Sequence, residues 1–503
     1  MSIINIQNLT FGYDGSSENI FEDVSFRLDT DWKLGFTGRN GRGKTTFLKL
    51  LLGEYEYSGS ISASVDFEYF PTSVKAPDAL TIDAAREAYD GFEDWELICE
   101  LSRLGLDEEA LWRPYSTLSM GERTKVMLAV MFLKPNSFLL IDEPTNHLDA
   151  DARALTARWL NTKKGFILVS HDRAFLDACT DHTLSINRAD ITVTAGNFSV
   201  WYENKLLRDS FETAQNEKLR REISRLSATA REKSAWSDAA ESRKIGFDPT
   251  KVEKSLNRRA YEGAKSKKLM ARAKAIEKRT EAKLEEKSAL LKNIEEYDDL
   301  KLHPLEYHSK RLCSLRDVSV YYDRRRVVNE VSLEINSGDR ICLSGANGSG
   351  KSTLIRLLLG DRLDFTGEVY VASGLKISYV PQDVSGLSGS LSDFENQAGV
   401  DRTLLRSILR KLDFPRALFE QPLETYSAGQ KKKAALARSL AESAHLYIWD
   451  EPLNFIDIYS RMQLEELLTD SDATLLFVEH DRAFCEKVAT NEQILADFGL
   501  QYR

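Results

Sequence analysis

The chain has 503 residues, of which 42% are hydrophobic and 29% are charged, and its formal net charge is -10. This length predicts about three domains, and the hydrophobic fraction excludes a chain that is disordered throughout. The negative total argues mildly against a nucleic-acid-binding protein, although the distribution of charge decides more than the sum.

The N-terminal segment and the cysteines both indicate a reducing compartment. Residues 1–5 lack the basic and apolar regions of a secretory signal, and no apolar run approaches the ~18 residues that a membrane-spanning helix needs. The five cysteines are far apart in the sequence, which indicates neither a disulfide framework nor a metal site. We therefore expect a cytoplasmic protein without a membrane partner.

In chain order, the first part of the sequence alternates between strand and helix patterns. The predicted elements are strands at residues 3–9, 137–143 and 166–171 and helices at residues 46–52 and 119–133. This alternation predicts an α/β domain, to which we assign residues 1–202.

Two glycine-rich loops carry the clearest signal in the chain. Each matches G-x-x-x-x-G-K-[ST] between an apolar strand and a helix, which is the context of a phosphate-binding loop. The first contains Gly38, Arg39, Asn40, Gly41, Arg42, Gly43, Lys44 and Thr45 and is followed by Thr46; the second contains Gly345, Ala346, Asn347, Gly348, Ser349, Gly350, Lys351 and Ser352 and is followed by Thr353. Lys44 and Lys351 would reach the β- and γ-phosphates of a nucleotide, and Thr45 and Ser352 would hold Mg²⁺. One match could arise by chance, but two could not.

Other landmarks of the first domain return later in the chain. The two phosphate loops, the acidic residues Asp142 and Asp450, and the histidines His171 and His480 are each separated by about 308 residues. The sequence therefore predicts a duplicated α/β domain, whose second copy we assign to residues 304–503.

Residues 203–303, between the two copies, differ in composition. They contain 25 Lys and Arg and 19 Asp and Glu, so positive charge collects in a chain that is negative overall. Apolar residues at 4-3-4 spacing predict a coiled coil, and Gly246 and Pro249 predict a turn. We expect two antiparallel helices with a tip at residues 246–261.

This hairpin has two possible roles. A charge-rich hairpin can be a solvated spacer, but the concentration of positive charge towards its distal half favours an arm that contacts nucleic acid. The candidate contacts at the tip are Phe247, Lys251, Lys254, Arg258 and Arg259.

Both copies offer acidic residues for phosphate chemistry. Asp142 and Asp450 end apolar strands, where they would hold Mg²⁺. The neighbouring Glu143 and Glu451 would polarise the attacking water. A purely structural role is disfavoured, because a charged pair at the end of a buried strand is costly without a ligand.

Aromatic and histidine residues complete the candidate sites. Tyr13 and Tyr322 precede the phosphate loops and would stack on adenine, although position alone fits an ordinary strand aromatic equally well. His171 and His480 each precede Asp-Arg-Ala-Phe and would contact the γ-phosphate. A single histidine is usually structural, but two at matching positions favour a function. Neither indicates a metal site, because no second His or Cys has suitable spacing.

Two short motifs resemble those of the ABC ATPase superfamily. Residues 118–122 and 426–430 resemble its signature loop, and residues 146–149 and 454–457 resemble its D-loop. The resemblance implies that two ATP molecules lie between the lobes and that each phosphate loop faces the signature loop of the other lobe. By this resemblance, the site of Lys44 is completed by Ser427, Gly429 and Gln430, and the site of Lys351 by Ser119, Gly121 and Glu122.

The whole chain resembles the ABC-F family, in which two fused ATPase lobes are joined by a basic helical hairpin. The run Asp-Glu-Pro-Thr-Asn-His-Leu-Asp at residues 142–149 is highly specific for this family. Residues 32–35, 38–45, 449–454 and 478–481 resemble its Lsa-like, antibiotic-resistance type. We therefore expect an α/β protein with two tandem ABC-type P-loop ATPase domains joined by a long antiparallel α-helical hairpin.

The resemblance also implies an activity. It implies a monomer that pairs its two lobes, hydrolyses ATP to ADP and phosphate with Mg²⁺, and enters the exit site of the bacterial ribosome. There it would insert the hairpin among large-subunit rRNA and peptidyl tRNA and dislodge lincosamides, streptogramin A compounds and pleuromutilins.

Three other activities are alternatives. They are a housekeeping ABC-F translation factor acting on stalled ribosomes, the ATPase subunit of a drug exporter, and a DNA-maintenance ATPase with a coiled coil. Nothing in the hairpin suits a permease, so we expect no obligate one. The Cys-x-x-Cys apex of the DNA-maintenance family is absent from the sequence.

Departures from the family pattern predict that the two ATP sites differ. Gln382 fits the Q-loop of the second lobe, where it would join the metal site, whereas Thr72 stands at that position in the first lobe. Leu453 and Phe455 replace the Thr and His of the first-lobe motif.

Overall fold

The structure, a computed structural model, describes most of the chain. The described residues are 2–13, 19–187, 190–245, 301–322, 325–346, 348–412, 414–454 and 456–495. The predicted tip at residues 246–261, the second arm of the hairpin, and Asn347 and Phe455 lie outside them. Within the described ranges, no helix has both the length and the apolar character needed to cross a membrane.

The first lobe is an α/β domain, as the alternating pattern predicts. Its strands are β1 (Ile3–Phe11), β2 (Phe21–Asp29), β3 (Lys33–Thr37), β4 (Ser58–Ser62), β5 (Asp66–Phe70), β6 (Ser137–Asp142), β7 (Phe166–Val169), β8 (His182–Asn187) and β9 (Asp190–Ala195). Its helices are α1 (Lys44–Leu51), α2 (Thr81–Ala88), α3 (Asp94–Arg103), α4 (Met120–Leu133), α5 (Ala150–Leu160) and α6 (Arg173–Cys179). Helix α1 begins two residues before the predicted start, within the phosphate loop.

The central sheet of the first lobe positions the candidate site. Its strand order is β5-β6-β7-β3-β8-β9. The first five of these strands run parallel to one another, and β9 is antiparallel to β8. Residues 138–141 of β6 are at most 1% exposed, as expected for a parallel strand that is covered on both faces. Because parallel strands end at the same edge, the residues that follow β3, β6 and β7 meet there.

The second lobe repeats this arrangement, which confirms the predicted duplication. Its strands are β10 (Arg311–Tyr322), β11 (Arg325–Asn336), β12 (Arg340–Ser344), β13 (Asp364–Val371), β14 (Ile377–Val380), β15 (Leu446–Asp450), β16 (Leu475–Val478) and β17 (Asn491–Ile494). Its central sheet has the order β14-β15-β16-β12-β17. In both lobes a separate antiparallel three-stranded sheet lies beside the central one, with the orders β2-β1-β4 and β11-β10-β13.

A long helix, α7 (Phe198–Ile245), follows the first lobe. Ile245 is its last described residue, so the predicted turn at Gly246 and Pro249 lies outside the described residues, and the domain boundaries at residues 202 and 303 stay predictions. Trp201, in its first turn, is 2% exposed, and its ring lies 6.4 Å from that of Tyr459 in the second lobe. The two lobes, residues 1–201 and 298–503, form one compact unit.

The remaining α-helices among the described residues belong to the second lobe. They are α8 (Lys351–Leu358), α9 (Leu391–Ala398), α10 (Arg402–Lys411), α11 (Ala428–Ala441), α12 (Ile458–Thr469) and α13 (Arg482–Val488). Each has a counterpart of similar length in the first lobe, so the two candidate sites are built from equivalent elements.

Candidate functional site

Each glycine-rich loop wraps around its own lysine. Lys44 is 7% exposed, and its Nζ donates to the carbonyl oxygens of Gly38 (2.6 Å) and Arg39 (3.3 Å). Lys351 is also 7% exposed and donates to the carbonyl oxygen of Gly345 at 2.8 Å. Both ammonium groups are therefore held at the centre of a loop that connects a strand to a helix N-terminus, where an anion is favoured.

The last glycine of each loop is required by its geometry. Gly43 and Gly350 precede helices α1 and α8 with φ values of 94° and 92°, in the region that favours glycine. A Cβ at Gly43 would lie 2.5 Å from Ile20 Cγ2, and a Cβ at Gly350 would lie 2.5 Å from Val328 Cγ2. Any side chain at either position would push the loop away from its strand.

The first acidic residue of each pair contacts the hydroxyl that ends its phosphate loop. Thr45 Oγ1 donates to Asp142 Oδ2 at 3.0 Å, and Tyr69 donates to the same oxygen at 2.9 Å. In the second lobe, a hydrogen bond from Ser352 lowers the pKa of Asp450, but burial is the larger effect and raises it overall. The structure thus places Thr45 beside Asp142 and Ser352 beside Asp450, four of the five residues that the sequence proposes as metal ligands.

The second acidic residue of each pair has a strained backbone and faces a histidine. Glu143 and Glu451 have φ values of 52° and 47°, which residues other than glycine rarely adopt and which often mark a functional site. Glu143 Oε1 lies 3.4 Å from His171 Nε2, and Glu451 Oε1 lies 3.8 Å from His480 Nε2. One glutamate therefore lies beside one histidine in both lobes.

Burial controls the charges of these residues. It raises the pKa of Glu143 to about 8, and the negative charge of Asp142 adds to this effect. Burial lowers the pKa of His480 to about 4 and lowers the pKa of His171 well below its ordinary value. Both histidines are therefore neutral at pH 7.

Residues from both lobes converge at each site. Burial lowers the pKa of Lys44, and the largest opposing effect is the negative charge of Asp457 in the second lobe. Burial likewise lowers the pKa of Lys351, and Glu451 and Asp149 oppose it, the latter from the first lobe. A cavity of about 670 Å³ is lined by Asp149, which ends the D-loop of the first lobe, by Ala150 and Asp151, which follow it, and by Gly345 and Ala346. Each D-loop therefore faces the phosphate loop of the other lobe.

The ABC transporter family model matches residues 21–146 and 328–454, which together make up half of the chain. This chain belongs to the ABC transporter family. As its two ABC domains imply, it is an ATPase that binds ATP and hydrolyses it to ADP and phosphate.

Other relatives of this ABC ATPase extend beyond the two matched segments. The chain is 28% identical to the ribosome protection protein VmlR of Bacillus subtilis (strain 168), over 99% of this chain and 88% of the relative. It is 29% identical to the ATP-binding protein Uup of Caulobacter vibrioides, over 94% of this chain and 74% of the relative. Its fold is similar to that of the archaeal ribosome recycling factor aABCE1, solved with ribosomal stalk protein aP1, with a TM-score of 0.63 and 19% identity over 97% of this chain and 87% of that chain.

The signature loops of the ABC ATPase form helix caps. Ser119 Oγ accepts from the backbone N–H of Glu122 at 3.2 Å, and Glu122 Oε2 accepts from the N–H of Ser119 at 2.7 Å. Ser427 and Gln430 repeat this reciprocal pair at the start of α11. The caps fix the N-termini of the helices that contain Gly121 and Gly429. The pairing of each signature loop with the phosphate loop of the other lobe stays a prediction.

The candidate base platforms lie at the edge of the two sites. Tyr13 is 45% exposed, and its hydroxyl lies 2.9 Å from Oγ1 of Thr46, which follows the first loop. Tyr322 is 37% exposed and accepts a hydrogen bond from Arg356 at 3.5 Å. Both rings are partly exposed, which is compatible with stacking on a base and does not test it.

Gln382 lies beside the acidic pair of the second lobe, and its metal role stays a prediction. Its Nε2 donates to Glu451 Oε1 at 2.7 Å, so it contacts the glutamate rather than Asp450. In the first lobe, Thr72 donates to the carbonyl oxygen of Tyr69 at 3.0 Å. The two sites therefore differ at this position, in agreement with the expected inequivalence.

The buried cations that the sequence did not predict include Lys432, Arg153 and Arg461. Lys432 is 1% exposed and donates to the carbonyl oxygens of Pro381 (2.7 Å) and Asp450 (2.9 Å), and burial lowers its pKa to about 8. Its position in a run of three lysines resembles a solvated helix face, so the sequence gives no signal for it. Arg153 and Arg461, by contrast, repeat at the same distance after the two D-loop aspartates, and this repeat could have revealed them.

Proposed function

We propose that the chain is an ABC-F ATPase that holds two ATP molecules between its lobes. The observation that carries this proposal is the reciprocal arrangement of the D-loops. Asp457 acts on Lys44 from the opposite lobe, and Asp149 acts on Lys351 in the same way. A ligand that contacts both lobes favours the closed state, because it gains contacts only when the lobes are together.

Magnesium would bind at the junction of each phosphate loop and acidic strand end. Thr45 and Asp142 would hold it in the first site, and Ser352 and Asp450 in the second, with Gln382 beside them. The residues fit this ion, because Mg²⁺ prefers oxygen ligands and Asp450 Oδ1 is buried without a hydrogen-bond partner among the described residues. Bound there, Mg²⁺ would neutralise charge on the β- and γ-phosphates.

The remaining groups would orient the water and the nucleotide. Glu143 and Glu451 would polarise the attacking water, and His171 and His480, which are neutral, would donate to the γ-phosphate. The buried His480 Nε2 has no hydrogen-bond partner among the described residues, so it is available for this contact. Tyr13 and Tyr322 would stack on adenine, and the signature residues, Ser427, Gly429 and Gln430 in one site and Ser119, Gly121 and Glu122 in the other, would close each site.

For the cellular role, we propose ribosome protection. The chain would enter the exit site of the bacterial ribosome, contact large-subunit rRNA and peptidyl tRNA, and displace lincosamides, streptogramin A compounds and pleuromutilins. The similarity to VmlR over almost the whole chain supports this role, as does the excess of positive charge in the proposed linker, residues 203–303. Phe247, Lys251, Lys254, Arg258 and Arg259 would form its contact with rRNA.

The double variant Glu143→Gln, Glu451→Gln tests both parts of the proposal. It should bind ATP, release no phosphate, and cosediment with bacterial ribosomes in ATP. The matched control is Glu54→Gln, Glu368→Gln, which makes the same change at two exposed glutamates and should behave as the unmodified chain. Expression of the unmodified chain in a sensitive bacterium should raise the inhibitory concentration of the three drug classes. A double variant that stays free of ribosomes in ATP would refute the cycle, and unchanged susceptibility would refute the protective role.

A further inference from the structure

Each D-loop aspartate is followed four residues later by an arginine. Asp149 and Asp457 cap helices α5 and α12, because their Oδ1 atoms accept from the N–H of Ala152 (2.9 Å) and Ser460 (3.0 Å). Arg153 and Arg461 lie in the first turn of these helices. The spacing is the same in both lobes although the surrounding residues differ.

In the first lobe, Arg153 joins two loops. It is 9% exposed, and its Nε donates to the carbonyl oxygen of Leu148 in the D-loop at 2.9 Å. Its Nη1 donates to Asp172 Oδ2 at 3.0 Å. Asp172 follows His171 directly, and its other oxygen caps helix α6 by accepting from Phe175 at 3.0 Å. The guanidinium therefore fixes the D-loop relative to the histidine of the same lobe.

The second lobe contains the same junction. Arg461 is 6% exposed, and its Nε donates to the carbonyl oxygen of Ile456 at 3.0 Å. Its Nη1 donates to Asp481 Oδ2 at 3.1 Å, and its Nη2 donates to the carbonyl oxygen of Leu453 at 3.0 Å. Asp481 directly follows His480, just as Asp172 directly follows His171 in the first lobe.

The two partners of each arginine serve different sites. His171 lies beside Glu143 in the site of Lys44, whereas Asp149, in the D-loop that Arg153 holds, faces Lys351. The reverse holds for Arg461, whose D-loop faces Lys44. In each lobe, a single arginine side chain thus links a loop of one ATP site to a loop of the other. A planar guanidinium can hold both loops at once because its N–H groups point in fixed directions.

We propose that Arg153 and Arg461 are positioning residues that couple the two ATP sites, each by holding the histidine loop of one site in register with the D-loop of the other. This proposal rests on the two-site function proposed above. When the nucleotide of the first site displaces His171, Arg153 would transmit this movement to the D-loop that faces Lys351. Neither arginine touches ATP; both act through the loops that they hold.

A local structural role makes a different prediction. If each pair only stabilised its own lobe, its loss would lower the folded fraction, and the turnover of the folded protein would not change. A positioning role changes turnover instead, because a displacement of about 1 Å in a catalytic group can lower the rate about 100-fold.

The test measures ATP turnover of Arg153→Met, Arg153→Lys and Arg461→Met in three backgrounds. These are the otherwise unmodified chain, Glu143→Gln, in which only the site of Lys351 turns over, and Glu451→Gln, in which only the site of Lys44 does. We expect kcat to fall about 10-fold or more in all three backgrounds while KM for ATP changes less than about threefold. Arg153→Lys keeps the positive charge but loses the planar guanidinium. Its kcat should therefore lie between those of Arg153→Met and of the same protein with Arg153.

Controls separate this proposal from the one on which it rests. Arg158→Met alters an exposed arginine on the same helix and should leave kcat unchanged. A double-mutant cycle of Arg153→Met with Asp172→Asn should show strong coupling in kcat, which unfolding alone would not produce.

Two results would overturn the coupling. One is ATP turnover of an arginine variant within twofold of the same protein without the arginine substitution, in any background. The other is a loss of turnover confined to the ATP site whose phosphate loop is in the lobe that carries the substituted arginine. If the single glutamate variants themselves keep full activity, the two-site function fails, and the turnover of the arginine variants in the unmodified chain still decides their role.

Discussion

Gln382 donates a hydrogen bond of 2.7 Å from its Nε2 to Oε1 of Glu451. Asn454 Nδ2 donates to the other oxygen of the same carboxylate at 2.6 Å, so two amides hold this glutamate. In the first lobe the position of Gln382 is taken by Thr72, which donates instead to a backbone carbonyl of its own loop. The two proposed sites therefore orient their glutamates by different means.

We predict that Gln382→Ala affects the second site alone. Without the amide, the Glu451 carboxylate can rotate away from the water it would polarise, and kcat should fall about 10-fold. Phosphate release measured in the Glu143→Gln background should show this loss, and the Glu451→Gln background should not. Thr72→Ala is the matched control and should leave both rates unchanged. An equal loss in both backgrounds would contradict the assignment of Gln382 to one site.

A second prediction concerns an ion pair between the lobes. Arg173 donates to Glu465 of the second lobe, whose carboxylate is fully buried, and Lys487 donates to its other oxygen at 3.2 Å. At the equivalent position in the second lobe, Arg482 pairs with the exposed Glu486. Arg173→Met should lower the free energy of unfolding by about 3–5 kcal/mol, since it leaves a buried carboxylate short of a partner. Arg482→Met should lower it by less than about 1 kcal/mol. Urea unfolding compares the two, and equal shifts would exclude a special role for the interlobe pair.

The buried histidines predict a pH dependence of stability. Burial lowers the pKa of His480 to about 4 and the pKa of His171 well below its ordinary value. An unfolded histidine takes up a proton below about pH 6.5, so the unfolded state binds more protons than the folded state between pH 6.5 and about 4. The contribution of these two histidines to the free energy of unfolding therefore decreases as the pH falls through this window.

Thermal unfolding between pH 7 and pH 5 measures this effect. The midpoint of the unmodified chain should decrease more than that of the double variant His171→Asn, His480→Asn. The variant His303→Asn replaces an exposed histidine and should keep the slope of the unmodified chain. Identical slopes for all three proteins would show that the two buried histidines do not control acid stability.

The glycines of the second phosphate loop predict a graded effect of one added methyl group. Gly350→Ala combines a φ of 92° with a contact of 2.5 Å to Val328, so it should cost about 2 kcal/mol or more and weaken ATP binding. Gly348→Ala has a similar φ of 84°, but its Cβ would meet no described atom within 4 Å. It should cost only about 1 kcal/mol of backbone strain. Thermal unfolding and titration with a fluorescent ATP analogue measure both terms, and a larger effect at Gly348 would contradict this ranking.

The motifs that lie on contiguous residues could be predicted from the sequence. The phosphate loops and the strand ends at Asp142 and Asp450 are local patterns, and the parallel sheet alone brings them to one edge. The helix that starts after Ser119 was predicted for the same reason, because its cap lies within four residues.

Contacts between distant residues could not be predicted in this way. The pairing of Arg173 with Glu465 joins residues that no periodicity relates, and the burial of Lys432 depends on which face of its helix the second lobe covers. The motif of Gln382 indicates its neighbourhood, but its hydrogen bond to Glu451 depends on the direction of its side chain. The strained backbone of Glu143 and Glu451 likewise follows from packing rather than from residue type.

The contact between Trp201 and Tyr459 has a practical consequence. The indole is buried at the end of the first lobe and depends on a ring of the second lobe for part of its cover. Separation of the lobes would admit water to this side chain and shift its fluorescence to longer wavelength. Because the chain contains seven tryptophans, a variant that keeps Trp201 and replaces the other six would report the opening of the protein in solution without an attached dye.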